Sequence, residues 1–165
     1  MKAIVTGSFD PITLGHMELI RYACEKYDRV YVVALVNEAK EYMFTMEQKK
    51  ALIELSVSGM DNAVADAYVG LTADYMHSHG IFHIIRGVRN EQDMEYEKIL
   101  AEKMKEFDQA FETEIIVCKS QYAGINSTEV RKRLQDGKEL EDLLPKSIIS
   151  PTKQFYLENI TENKN

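Results

Sequence analysis

The chain has 165 residues, with 27 Asp and Glu against 20 Lys and Arg, giving a formal net charge of −7. That length suits one domain spanning residues 1–165, able to bury about two-thirds of its unfolded surface, and the negative balance excludes a protein that coats nucleic acid through its overall field. No apolar run approaches the roughly 20 residues of a membrane span. Met1-Lys2 runs straight into Ala3-Ile4-Val5 and an early glycine, unlike a secretory leader. Cys24 and Cys118 show neither a CxxC nor a metal-binding spacing, so a cytoplasmic location is expected.

In chain order, Lys2 to Thr6 is an apolar run that ends at a glycine, as a first strand would. From His16 to Tyr27 the apolar residues Met17, Ile20, Ala23 and Cys24 recur at helical spacing. Val30 to Val36 is β-branched and apolar on both faces, as a buried parallel strand requires. Thr45-Met46-Glu47-Gln48 has the form of a capping box opening a helix that Gly59 closes. Ala63 to Tyr68 predicts a weaker strand, Thr72 to Ser78 a short helix, and Ile81 to Ile85 a fourth strand. Glu91 to Asp108 predicts the longest helix, with seven acidic residues against three lysines. Its first turns carry Glu91, Asp93 and Glu95, where the helix dipole favours negative charge. Thr113 to Lys119 is a fifth strand, and Ser127 to Gln135 a helix stopped by Gly137. A helical stretch from Pro145 to Ile149 is expected to restart at Ser150, with Pro151 at its first position. Residues 161–165 read as a frayed tail. Strands alternating with helices imply an α/β fold, a doubly wound, Rossmann-like, five-stranded parallel sheet. Ligands bind such sheets beyond the carboxyl ends of the strands.

The chemically capable residues cluster after those strands. Gly7 to His16 follows the first, offering a glycine turn, the Ser8 hydroxyl and a histidine at a helix start, where free N–H groups attract phosphate. Lys40 follows the second. Arg86-Gly87-Val88-Arg89 follows the fourth, with two guanidinium groups that either bind phosphate or pair with the acidic helix behind them. Tyr122 to Arg131 follows the fifth, with Asn126 or Ser127 as a cap and the Ser127 and Thr128 hydroxyls beside free amides. Neither the Walker nor the dinucleotide-binding glycine pattern occurs. His77, His79 and His83 make no ligand set, because helical residues two apart do not share a face. Hydroxyls, one histidine, lysine and arginines suit phosphoryl or nucleotidyl transfer, in which catalysis is positioning and charge stabilisation.

These residues resemble the nucleotidyltransferase superfamily with a T-x-G-H signature, here Thr13-Leu14-Gly15-His16. Gly7 to His16 alone would equally suit nicotinate-mononucleotide adenylyltransferases and, less closely, cytidylyltransferases. Ile85 to Arg89, Met94 to Glu97, and Lys40 with Met43-Phe44-Thr45 are similar to segments of the bacterial phosphopantetheine adenylyltransferases. That resemblance implies ATP and 4′-phosphopantetheine as substrates, Mg²⁺, a homohexamer and feedback by coenzyme A. It places His16 at the α-phosphate, with Ser8 and Lys40 orienting the attacking phosphate and Arg86 binding the same substrate. Arg89, Ser127 and Thr128 would hold the β- and γ-phosphates. Phe9, Gly87, Val88, Glu97 and the Tyr122-Ala123-Gly124-Ile125 backbone would line the ATP side, and Leu71 and Thr72 the pantetheine arm. Three positions depart from the family pattern: Ser8 for threonine, Asn126 for the first serine of its I-S-S string, and Met94 for phenylalanine. The amide at Asn126 is the one feature that suits a nucleotide-binding module without catalysis.

Overall fold

The five apolar runs become five strands of one sheet in the computed structural model, which describes residues 1–164. The elements are β1 (Lys2–Gly7), α1 (Leu14–Lys26), β2 (Arg29–Val36), α2 (Met46–Val57), β3 (Ala63–Val69), α3 (Thr72–His79), β4 (His83–Val88), α4 (Glu91–Phe107), β5 (Glu112–Val117), α5 (Ser127–Asp136) and α6 (Lys146–Glu162). A short 3₁₀ turn, Ser120–Tyr122, precedes α5. Strand order is β3-β2-β1-β4-β5 with every pairing parallel. The winding direction reverses between β1 and β4, so the crevice expected to hold ligands opens at their carboxyl ends.

Alternation along the strands sorts side chains into two layers. Ala3, Val5, Val32 and Ile85 face α1, α2, α5 and α6 through Ile20, Leu52, Val130 and Ile148. Ile4, Val33 and Ile84 face the other way and meet Ala73, Met76 and Phe111. Each fully buried aliphatic side chain stabilises the fold by about 1.5–3 kcal/mol. On α4, by contrast, Glu97 is the only buried residue, while Tyr96, Ile99 and Phe107 stay exposed.

Several predicted boundaries move for identifiable reasons. β4 begins at His83 rather than Ile81, because Ile81 closes the end of α3. Gly80 adopts φ 62 there, and the Ile81 N–H donates to the Met76 carbonyl at 2.9 Å. This left-handed cap also buries the Ile81 side chain. The strand runs on to Val88 because Arg86, Gly87 and Val88 pair with Ile115, Ile116 and Val117 of β5, so it contains Arg86 and Gly87, which the sequence places beyond its end. α1 begins at Leu14 with Thr13 as its N-cap, putting His16 at the third helical position. α6 is continuous through Pro151 rather than restarting at Ser150. The carbonyl that Pro151 leaves without its helical partner belongs to exposed Ser147, so water can satisfy it while Ile148 and Thr152 stay buried. Thr161 and Glu162, read as part of a frayed tail, end this helix, and Asn165 lies outside the described residues.

Candidate active site

The loop from Gly7 to Thr13 is fixed from several sides. A Cβ on Gly7 would lie 3.3 Å from the Phe9 ring, which packs beneath the loop at 2% exposure and φ 42. The Asp10 carboxylate accepts the Met43 and Phe44 N–H groups, each at 3.0 Å, tying this loop to the one after β2. On the other side, the Ser127 hydroxyl donates to the Pro11 carbonyl at 2.7 Å and Arg131 Nη1 to the Asp10 carbonyl at 2.8 Å. Sequence reasoning missed Asp10 and Arg131 as organisers, since each acts on a segment distant in the chain.

His16 reaches back to its own N-cap, where the Thr13 N–H donates to Nδ1 at 3.0 Å. It takes the place that glutamate or glutamine fills in a capping box. With Nδ1 acting as acceptor, the hydrogen-bond pattern assigns the neutral ring's proton to Nε2. Burial, aided by the Arg89 charge, pulls the imidazole down to about 4, so the ring is neutral at neutral pH. Its edge packs on Phe9 with centroids 4.9 Å apart. The site thus presents one fixed neutral donor.

Two cavities meet here. A polar cleft of about 320 Å³ is walled by His16, Gly87, Arg89, Tyr122, Ile125 and Ser127, among others. A mainly apolar cavity of about 350 Å³ lies between the sheet and α4, walled by Leu71, Thr72, Glu97, Leu100, Met104 and Phe107, among others. Thr6 and Arg86 belong to both walls. Each volume is in the range of small-molecule sites.

Arg86 is held rigidly at that junction. Its Nε and Nη2 donate to the two Glu97 carboxylate oxygens at 2.8 and 2.7 Å, and Nη1 to the Thr6 carbonyl and hydroxyl at 3.2 and 3.0 Å. Pairing with the acidic helix is thus real for Arg86, yet one Nη2 hydrogen stays free for a ligand. Glu97, expected on the ATP side, walls the apolar cavity with its carboxylate on Arg86. Arg89 is freer, its Nε 3.7 Å from Asp93.

Other predicted residues stand apart from the cavity walls. Ser8 and Lys40 are exposed, on the loops after β1 and β2. Val88 is buried within β4, so only its backbone can reach a ligand. Ala123 and Gly124 follow the 3₁₀ turn, and the exposed Thr128 hydroxyl accepts from Arg131 Nη2 at 3.1 Å. Asn126, by contrast, does wall the polar cleft, and it caps α5 by accepting the Glu129 N–H at 2.8 Å. His77 pairs with Asp108 and His79 stacks on Tyr75. Among the described residues, no three His, Cys, Asp or Glu side chains group as metal ligands. No described helix is long and apolar enough to cross a membrane.

Comparison with known proteins identifies the family. A cytidylyltransferase-like family model matches residues 4–133. Phosphopantetheine adenylyltransferase from Clostridium novyi is 37% identical over 147 residues, covering 89% of this chain and 91% of that protein. The enzyme of that name from Lactiplantibacillus plantarum is 35% identical over 148 residues, 90% of this chain and 91% of its own length. This chain belongs to the phosphopantetheine adenylyltransferase family. The Staphylococcus carnosus member is 34% identical over 155 residues, covering 94% of this chain and 96% of its own. A solved Vibrio parahaemolyticus structure, provisionally named a nicotinate-nucleotide adenylyltransferase, superposes with a TM-score of 0.63 at 16% identity. It covers 94% of this chain and 97% of that one, and shows the shared fold.

Proposed function

We propose that this chain transfers the adenylyl group of ATP to 4′-phosphopantetheine, giving dephospho-coenzyme A and pyrophosphate. The observation that carries this reading is the junction at Arg86, where a polar, phosphate-suited cleft meets an apolar cavity suited to a pantetheine arm. A phosphate oxygen of 4′-phosphopantetheine attacks the α-phosphorus of ATP. The new P–O bond forms as the bond to the β-bridging oxygen breaks, and pyrophosphate leaves. The nucleophile is already anionic, so no general base is needed, and catalysis rests on alignment and charge stabilisation.

In that scheme His16 donates its Nε2–H to an α-phosphate oxygen as negative charge builds. Arg89, with the Thr128 hydroxyl and the free backbone amides of Ser127 and Thr128 that open α5, holds the β- and γ-phosphates. Arg86 uses its remaining N–H on the acceptor phosphate, and Lys40 and Ser8 steer that phosphate from the rim. Mg²⁺ bound with ATP would neutralise charge on the phosphates that Arg89, Thr128 and the α5 amides hold. Coenzyme A, built from the product's own two halves, would fill both cavities and act as a feedback inhibitor. The exposed α4 residues Tyr96, Ile99 and Phe107 support assembly into a homohexamer, which a sedimentation mass six times that of the chain would verify. Two unpaired cysteines support a cytoplasmic setting.

The test is pyrophosphate release from ATP with a panel of acceptors. Turnover with 4′-phosphopantetheine supports the reading. Turnover with nicotinate mononucleotide but not with 4′-phosphopantetheine overturns it.

A further inference from the structure

Lys49 lies on the buried stripe of α2, in register with Leu52, Ile53 and Val57. It is 1% exposed, and its Nζ has no hydrogen-bond partner among the described residues. Burying an ammonium this way is costly, so its neighbours must offset the cost. Nζ lies 3.3 Å from the centre of the Tyr42 ring and 4.0 Å from Asp10 Oδ1. Burial pulls the ammonium down to about 8, with Asp10 opposing that shift and Arg131 adding to it.

Both neighbours sit on loops that carry proposed acceptor-binding groups. Asp10 follows Ser8 and clamps the Met43 and Phe44 amides. The Tyr42 hydroxyl accepts the Asn37 N–H at 3.1 Å, closing the turn that presents Lys40. Lys49 therefore lies beneath the seam between these loops. Asp10 does not depend on it for satisfaction, since its oxygens already accept two backbone amides, with Arg131 Nη1 3.7 Å from Oδ2. What the ammonium adds is simultaneous attraction to the ring of one loop and the carboxylate of the other.

Building on the functional reading above, we propose that Lys49 is a positioning residue for acceptor binding, fixing the Lys40 turn against the Ser8 loop through Tyr42 and Asp10. It touches neither substrate.

The test uses Lys49→Met, Lys49→Arg, Lys40→Ala and the Lys49→Met/Lys40→Ala double variant, all assayed by pyrophosphate release. Lys49→Met is expected to raise the acceptor KM about tenfold, the scale of a desolvated cation–π contact. The ATP KM should stay within about twofold and the melting temperature within about 3 °C. Lys49→Arg should recover most of the acceptor affinity. In the Lys40→Ala background, Lys49→Met should change little, because its effect passes through Lys40. Hydrogen exchange at the Met43 and Phe44 amides should accelerate about tenfold in Lys49→Met while β1 amides hold. That last readout does not depend on turnover, so an inactive wild-type chain would refute the functional reading and leave the loop claim to be judged by exchange. Equal losses in both KM values, full additivity with Lys40→Ala, unchanged exchange, or failure of Lys49→Met to fold would each overturn the proposal.

Discussion

Replacing His16 with alanine probes the centre of the mechanism. Nδ1 is committed to the Thr13 N–H at 3.0 Å, leaving the imidazole one outward donor at Nε2. Losing a single preorganised donor to a developing oxyanion costs about 2.7–4 kcal/mol of transition-state stabilisation. His16→Ala should therefore lower kcat about 10²–10³-fold. The ATP KM should change little, because the donor is worth most when charge has built up in the transition state. The protonation state gives an independent check. With the imidazole pulled down to about 4 by burial and by Arg89, only about 3% would be protonated at pH 5.5, against about 90% for an ordinary histidine. No acid limb in kcat from His16 should therefore appear between pH 5.5 and 8. Stability carries the corresponding sign. The unfolded chain takes up this proton near pH 6.5 and the folded chain resists until about 4, so stability falls as pH drops through that window. The loss is at most about 3 kcal/mol by pH 4, and His16→Ala should abolish it. Pyrophosphate release across pH, NMR titration of the imidazole and urea melts at pH 4 and 7 provide the measurements. A His16→Ala kcat within fivefold of wild type, or His16 titrating near 6.5, would refute this assignment.

Two further outcomes follow from the cavity junction and its supports. Glu97→Gln breaks a bidentate pair in which Glu97 is 8% and Arg86 27% exposed in their side chains; it should cost about 3 kcal/mol or less in a urea melt. The same variant should raise the acceptor KM more than the ATP KM, and equal changes would detach Arg86 from the acceptor. Ser127→Ala removes the 2.7 Å tie to the Pro11 carbonyl, a loss of about 1 kcal/mol. Because that tie also positions the loop leading to His16, kcat should fall with stability, and unaltered kcat would argue against the coupling.

Much of the site was legible because its residues are contiguous. Gly7 to His16 is a single string, and Thr13 and His16 meet through a local i to i+3 bond that needs no distant partner. The two arginines were legible as phosphate ligands, but their different circumstances were not. Arg86 is clamped by Glu97 eleven residues later, on a helix that folds back over the strand, whereas the Arg89 guanidinium makes a longer contact, 3.7 Å, with Asp93. Lys49 left a trace in the sequence, as the charged member of an apolar stripe with Leu52, Ile53 and Val57. The capping pattern directly before it drew attention to where the helix starts rather than to which face it buries. The continuous α6 was hidden by Pro151, whose local preference favours a break, and burial of Ile148 and Thr152 carries the helix past it.

The sequence alone determined the alternation of strands and helices, the parallel sheet and the phosphate-seeking residue types after the strands. Those properties follow from side-chain period, turn chemistry and local capping, which act over a few residues. Only the tertiary structure decided that β1 and β4 lie side by side, that Arg86 faces two cavities at once and that Asp10 and Lys49 sit between the two acceptor loops. These are contacts between segments far apart in the chain, set by which faces the packed helices cover.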